Sequence, residues 1–129
     1  MSRLNARLNY LANLQPGWLD GQGEVISPAV LGTAKEIMAG LFPADSTVLF
    51  TTPGLFPMED GGMCIEWASP TRILSVELHP DGEIELYYLN AETRRDCEVL
   101  TRDTGEALLK VKETLAVAGC FHAEETVPA

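Results

Sequence analysis

Leu74-Ser75-Val76-Glu77-Leu78-His79-Pro80-Asp81-Gly82-Glu83-Ile84-Glu85-Leu86-Tyr87-Tyr88 alternates apolar and polar side chains on both sides of a Pro-Asp-Gly turn. A side-chain period of two marks strands with one buried face. The turn residues suit a type I turn followed by a glycine bulge, which pairs His79 with Glu83. That register sets Leu78 against Ile84, Val76 against Leu86 and Leu74 against Tyr88, all on one apolar face. The other face then holds Glu77 opposite Glu85 and Ser75 opposite Tyr87. Like charges directly across a ladder are destabilising, so something must tolerate the Glu77/Glu85 pair.

Working outward, the same period predicts strands at about 47–52, 63–68, 72–79, 83–89 and 95–100. Asp60-Gly61-Gly62 and Ser69-Pro70-Thr71 supply turns between them. With Met63, Ile65 and Trp67 inward, Cys64 and Glu66 share the outer face with Glu77. Asp96 and Glu98 join it if Cys97 and Val99 point inward. An acidic sheet face of Glu66, Glu77, Glu85 and Glu98, bordered by Tyr87, is the expected result.

Upstream, the period changes to that of a helix. Leu4, Leu8, Leu11 and Ala12 form one stripe, stopped by Gln15-Pro16-Gly17. Ser27 as N-cap and Pro28 at the first helical position open a second helix carrying Val30, Leu31, Ala34, Ile37, Met38 and Leu41; Pro43 ends it. A last helix, about 103–118, carries Ala107, Leu108, Val111 and Leu115. Helices flanking a block of strands predict an α+β fold: two N-terminal helices, an antiparallel meander of about five strands and one C-terminal helix, with the helices on one face of the sheet. Residues 1–122 read as one domain and 123–129 as a frayed acidic tail.

The chain has 129 residues, with 9 Lys and Arg against 19 Asp and Glu, for a formal charge of −10. Residues 1–42 are balanced, with Arg3, Arg7 and Lys35 against Asp20, Glu24 and Glu36, so all of the excess lies beyond them. This balance excludes unaided nucleic-acid binding, which needs clustered Lys and Arg. A hydrophobic content of 46% is that of a globular domain and not of a disordered acidic tail. Neither a signal peptide nor a membrane span is present in the sequence pattern. Three cysteines, Cys64, Cys97 and Cys120, are odd in number and too few for a disulfide scaffold, which places the expected compartment in a reducing cytoplasm.

No catalytic signature stands out. Cys120, His122, His79 and the other cysteines lack the spacing of structural zinc ligands, so neither a metal nor a cofactor is expected. Cys64 and Cys97 have acidic neighbours, which raise a thiol pKa and argue against a nucleophile. G-x-S-x-G, H-E-x-x-H and a phosphate-cradling glycine loop are absent. Trp18, in the Gly17–Gly23 loop, is expected to plug the core, as is Trp67 at the end of its strand. Leu55, Phe56 and Met58, in the segment Thr52-Pro53-Gly54-Leu55-Phe56-Pro57-Met58, form a candidate exposed apolar patch.

Pro16-Gly17-Trp18-Leu19-Asp20-Gly21-Gln22-Gly23, Ser27-Pro28, Pro57-Met58-Glu59-Asp60-Gly61-Gly62 and Glu66-Trp67 together resemble a group of small bacterial proteins. That group has a Gly-Trp-Asp-Gly-x-Gly loop, a helix, and a Pro-x-x-Asp-Gly-Gly hairpin leading into Glu-Trp. Leu19 interrupts the Trp-Asp pair here. The resemblance spans about residues 10–90 and implies a bacterial or phage origin and an α+β domain, with no activity attached.

Composition and register favour a non-enzymatic acidic module that inhibits or regulates a basic protein partner, itself acting on nucleic acid, in the manner of an immunity protein, antitoxin or phage inhibitor. Spaced carboxylates occupying the partner's phosphate sites would be one version. A homodimeric chaperone or adaptor working through Leu55, Phe56 and Met58 is a second reading. A small enzyme using the Glu77/Glu85 pair is a third, and requires a pocket and a raised carboxyl pKa. No membrane partner is expected.

Overall fold

The computed structural model of the chain describes residues 2–43 and 52–118. Its elements run α1 (Ser2–Ala12), α2 (Pro28–Leu41), β1 (Gly54–Pro57), β2 (Met63–Ala68), β3 (Arg72–Leu78), β4 (Ile84–Asn90), β5 (Arg95–Thr101) and α3 (Thr104–Ala118). The five strands form one antiparallel sheet in chain order. This is the expected α+β meander. α1 packs on β1, α2 on β2 and β3, and α3 on β4 and β5, so the helices share one face.

The central hairpin forms as its turn residues dictate. His79 N–H donates to Glu83 O at 2.9 Å and Gly82 N–H to His79 O at 3.0 Å, with Gly82 at φ +94°, a conformation that a Cβ disfavours. Asp81 Oδ1 accepts the Glu83 N–H at 2.9 Å, and this bond holds the Asp81 carboxyl below its ordinary range, with Arg102 adding to the effect. Arg102 also donates to Asp81 O at 2.6 Å, tying the end of β5 to the turn. The resulting register pairs Leu78 with Ile84, Glu77 with Glu85, Val76 with Leu86, Ser75 with Tyr87 and Leu74 with Tyr88. Every cross-strand pair expected from the turn is present.

The core lies between this sheet and the helices. Met63, Ile65, Trp67, Leu74, Val76, Leu78, Ile84 and Leu86 meet Leu4, Leu8, Leu11, Val30, Ala34, Ile37, Met38, Leu41, Ala107, Val111 and Leu115, all buried. Leu31 and Leu108 are partly buried at its margin, whereas Ala12 is exposed and lies outside the stripe expected of α1. α2 begins at Pro28 after Ser27, as the Ser-Pro pair predicts. The Ser27 hydroxyl makes no capping bond; its backbone instead accepts from Leu31 N–H at 3.0 Å and donates to Gly61 O at 3.0 Å.

Two expectations, the exposed patch at Leu55 and the core position of Trp18, need correction, and a third lies outside the described residues. The strand expected at 47–52 falls almost wholly outside the described residues, and Thr52 is not in a strand. The first described strand is β1, in the segment read as an exposed apolar patch. Leu55 pairs with Ile65 and is only 2% exposed, so it belongs to the core. Pro57 can end this strand because β1 lies at the sheet edge, where one side of the ladder needs no donor. Arg7 Nε donates to Leu55 O at 3.0 Å, covering part of that edge.

Trp18 is the second correction. It is half-buried, its indole Nε1 donates to Glu24 O at 2.8 Å, and its ring lies against Gly23, where an added Cβ would come within 2.7 Å of Trp18 Cε2. Trp18 therefore fastens its own loop and is not part of the buried core, because the indole N–H finds its acceptor six residues along the chain. Trp67, at 1% exposure, takes the core position expected of it.

Candidate functional site

Among the described residues, all the helices lie on one side of the meander and none covers the other, and the period of two decides what appears there. The register aligns Phe56, Cys64, Glu77, Glu85 and Leu100 in one cross-strand row. Gly54, Glu66, Ser75, Tyr87 and Glu98 form the next. Asp96 pairs with Leu89 in a third row that also contains Ile73. The structure thus places Glu66, Glu77, Glu85, Tyr87 and Glu98 on one face. Adjacent strands lie about 4.8 Å apart, so a row brings its side chains within reach of one another. Glu66, Glu77, Glu85 and Tyr87 are half-buried, and Glu98 is exposed.

The face is not uniformly acidic. Phe56 on β1 and Leu100 on β5 stand at the two ends of the row that contains the Glu77/Glu85 pair, 46% and 57% exposed. Of the three residues expected in an apolar patch, Phe56 alone is exposed: Leu55 is buried and Met58 is half-buried. The Phe56 ring itself lies over Gly54, where an added Cβ would meet it at 2.8 Å.

Cys64, opposite Glu77, is half-buried, and its thiol is pushed up from 9.0 to about 11, first by burial and then by the Glu66 and Glu77 carboxylates. It is held protonated at neutral pH and is a poor nucleophile there. Cys97 pairs with Tyr88 and so has the inward register position expected of it, yet it is exposed, because it lies beside an open cleft between the sheet and α3. Arg72, Arg95 and Lys110, together with Glu113, line clefts on that helix-covered side.

His79 is the residue that sequence reasoning placed correctly opposite Glu83 but left out of the site. It lies two residues beyond Glu77 on the same face, diagonal to Glu85, and its side chain is 19% exposed. Its Nε2 is 3.0 Å from Glu85 Oε1 and 3.5 Å from Glu77 Oε1. The signal was available in the hairpin register: a turn that pairs His79 with Glu83 brings the imidazole beside both facing carboxylates. Scanning for His and Cys at short sequence intervals passes over such a set, because strand pairing and not spacing assembles it.

No family model, curated protein or solved structure matches this chain. Among the described residues, no helix is long and apolar enough to cross a membrane.

Proposed function

We propose that the uncovered sheet face is a docking surface for a basic protein partner, and that the chain acts as a binding module which inhibits or regulates that partner. The observation that carries this reading is the gathering of Glu66, Glu77, Glu85, Asp96 and Glu98 from four strands onto the one face the helices leave free. Carboxylates arranged this way raise the local concentration of a cationic partner and speed encounter. Phe56 and Leu100 at the rims, with Tyr87 between the acidic side chains, add apolar contact area of the kind that holds a complex once formed. A partner that acts on nucleic acid fits best, since its phosphate-binding cations would find carboxylates in place of phosphates.

The test is affinity capture from a bacterial lysate by the wild-type chain and by Glu66→Gln/Asp96→Asn/Glu98→Gln side by side, followed by titration of the retained protein at rising salt. The expected result is a basic protein held by the wild type, at least ten-fold more weakly by the variant, with affinity falling steeply as salt is raised. Equal retention by both chains, with no salt dependence, would overturn the reading.

A further inference from the structure

We propose that Glu77, His79 and Glu85 form a three-ligand site for a divalent first-row transition ion of the zinc class. One ligand atom from each residue lies within 4.8 Å of the others, on the uncovered face beside the β3–β4 turn. The donor set is one imidazole nitrogen and two carboxylate oxygens, which suits zinc and its neighbours better than magnesium or calcium, whose ligands are oxygens alone.

Two observations separate this set from an ordinary cluster of surface acids. The first is the state of His79 Nε2. It is shielded from solvent and 3.0 Å from Glu85 Oε1, a hydrogen-bonding distance, yet it makes no hydrogen bond of acceptable angle. Glu85, although close enough, does not meet the nitrogen along its bonding direction, and Glu77 stands beyond an ordinary hydrogen-bond length. Groups that share a metal have this relation, because their lone pairs converge on a common centre and not on each other.

The second is spacing. Zinc bonds of about 2.0–2.1 Å at tetrahedral angles put neighbouring donor atoms about 3.3–3.4 Å apart. The distances of 3.0 and 3.5 Å from Nε2 to the two carboxylates bracket that edge. A dication between Glu77 and Glu85 also cancels the like-charge contact that the register imposes. With the glutamate side chains 41% and 35% exposed, the ion is reachable from solvent, and three protein ligands leave a further position for water.

The site shares Glu77 and Glu85 with the docking surface but does not rest on that reading, and its test uses the metal alone. Zn2+ is titrated calorimetrically into the full-length chain under reducing conditions, and into Cys64→Ser/Cys97→Ser/Cys120→Ser so that thiols contribute nothing. The expected result is saturation at one equivalent in both. His79→Gln and Glu85→Gln, made separately in the cysteine-free chain, are each expected to weaken binding at least ten-fold. The histidine ring-nitrogen resonance that moves on zinc addition to the cysteine-free chain should be the one missing from the His79→Gln spectrum. Millimolar Mg2+ should not displace zinc. Failure of the cysteine-free chain to saturate, full affinity in His79→Gln, or equal occupancy by Mg2+ would each overturn the site.

Discussion

Two faces of the same three strands are built by opposite rules. On the inner face of β2, β3 and β4, Met63, Ile65, Trp67, Leu74, Val76, Leu78, Ile84 and Leu86 are none of them more than 4% exposed. On the outer face Cys64, Glu66, Ser75, Glu77, Glu85 and Tyr87 are all partly open to solvent. A register slip of one residue would exchange the two sets and carry carboxylates into the core. The inner face therefore determines where every outer side chain stands, while the outer face contributes little to stability and is free to carry function. The largest expected difference follows from this division. Trp67→Ala should cost about 3–5 kcal/mol and Ser75→Ala less than about 0.5 kcal/mol, read from urea unfolding. Comparable losses at the two positions would break the division between the faces.

How much of this was legible depended on how local the deciding signal is. The β3–β4 pairing followed from Pro80-Asp81-Gly82, because one turn fixes every cross-strand pair beyond it. The helices followed from stripes such as Val30, Ala34, Ile37 and Leu41, which α2 buries together. β1 was misread because Gly54 and the prolines at 53 and 57 have the local chemistry of a loop; only its place at the edge beside β2 makes a strand acceptable there. The acidic face was legible as a set, since alternation and register suffice to assign sides. Trp18 and His79 were not, because the position of each depends on a partner found in space: the Glu24 carbonyl for one, the facing carboxylates for the other.

The two described cysteines carry the comparison to a second scale, since each has the register opposite to its exposure. Cys64 faces outward but is half-buried, and Cys97 faces inward but is exposed. With its pKa raised from 9.0 to about 11, Cys64 holds about 100-fold less thiolate at pH 8 than an unperturbed thiol. Iodoacetamide should therefore modify Cys97 long before Cys64, resolved by peptide mass mapping. The sign of the linkage follows: the folded chain keeps the Cys64 proton where the unfolded chain loses it, so this group's contribution to stability is present below pH 9 and is lost as pH rises toward 11. Equal labelling rates at pH 8 would show that Cys64 is neither shielded nor close to its acidic neighbours.

The turn that sets the register is worth less than the core it aligns. Gly82→Ala places a Cβ at φ +94° without a severe clash, its nearest neighbour being an Arg102 nitrogen at 3.5 Å. The cost should be that of the backbone conformation alone, about 1–2 kcal/mol in thermal or urea unfolding, with the strand pairing retained. A loss as large as that of Trp67→Ala would mean that the hairpin cannot hold its pairing without the bulge, and that the inner face does not specify the register by itself.

A small net effect is expected where the two faces are most sharply opposed, at the Glu77/Glu85 pair. Two contributions compete. Neutralising Glu85 relieves a like-charge contact worth about 0.2–1 kcal/mol, but removes a negative charge 3.0 Å from His79 Nε2, a contact that partial exposure limits to about 0–1 kcal/mol. Without a bound ion, Glu85→Gln should change stability by less than about 1 kcal/mol in the wild-type chain and should be more stabilising in a His79→Gln background, where only the repulsive contribution remains. Added salt should shrink the gain in that background, because it screens charges in contact with solvent. A loss of more than about 2 kcal/mol in either background is the signature of a buried, fully partnered carboxylate. It would move Glu85 out of the open face and remove the ligand on which both the docking surface and the metal site depend.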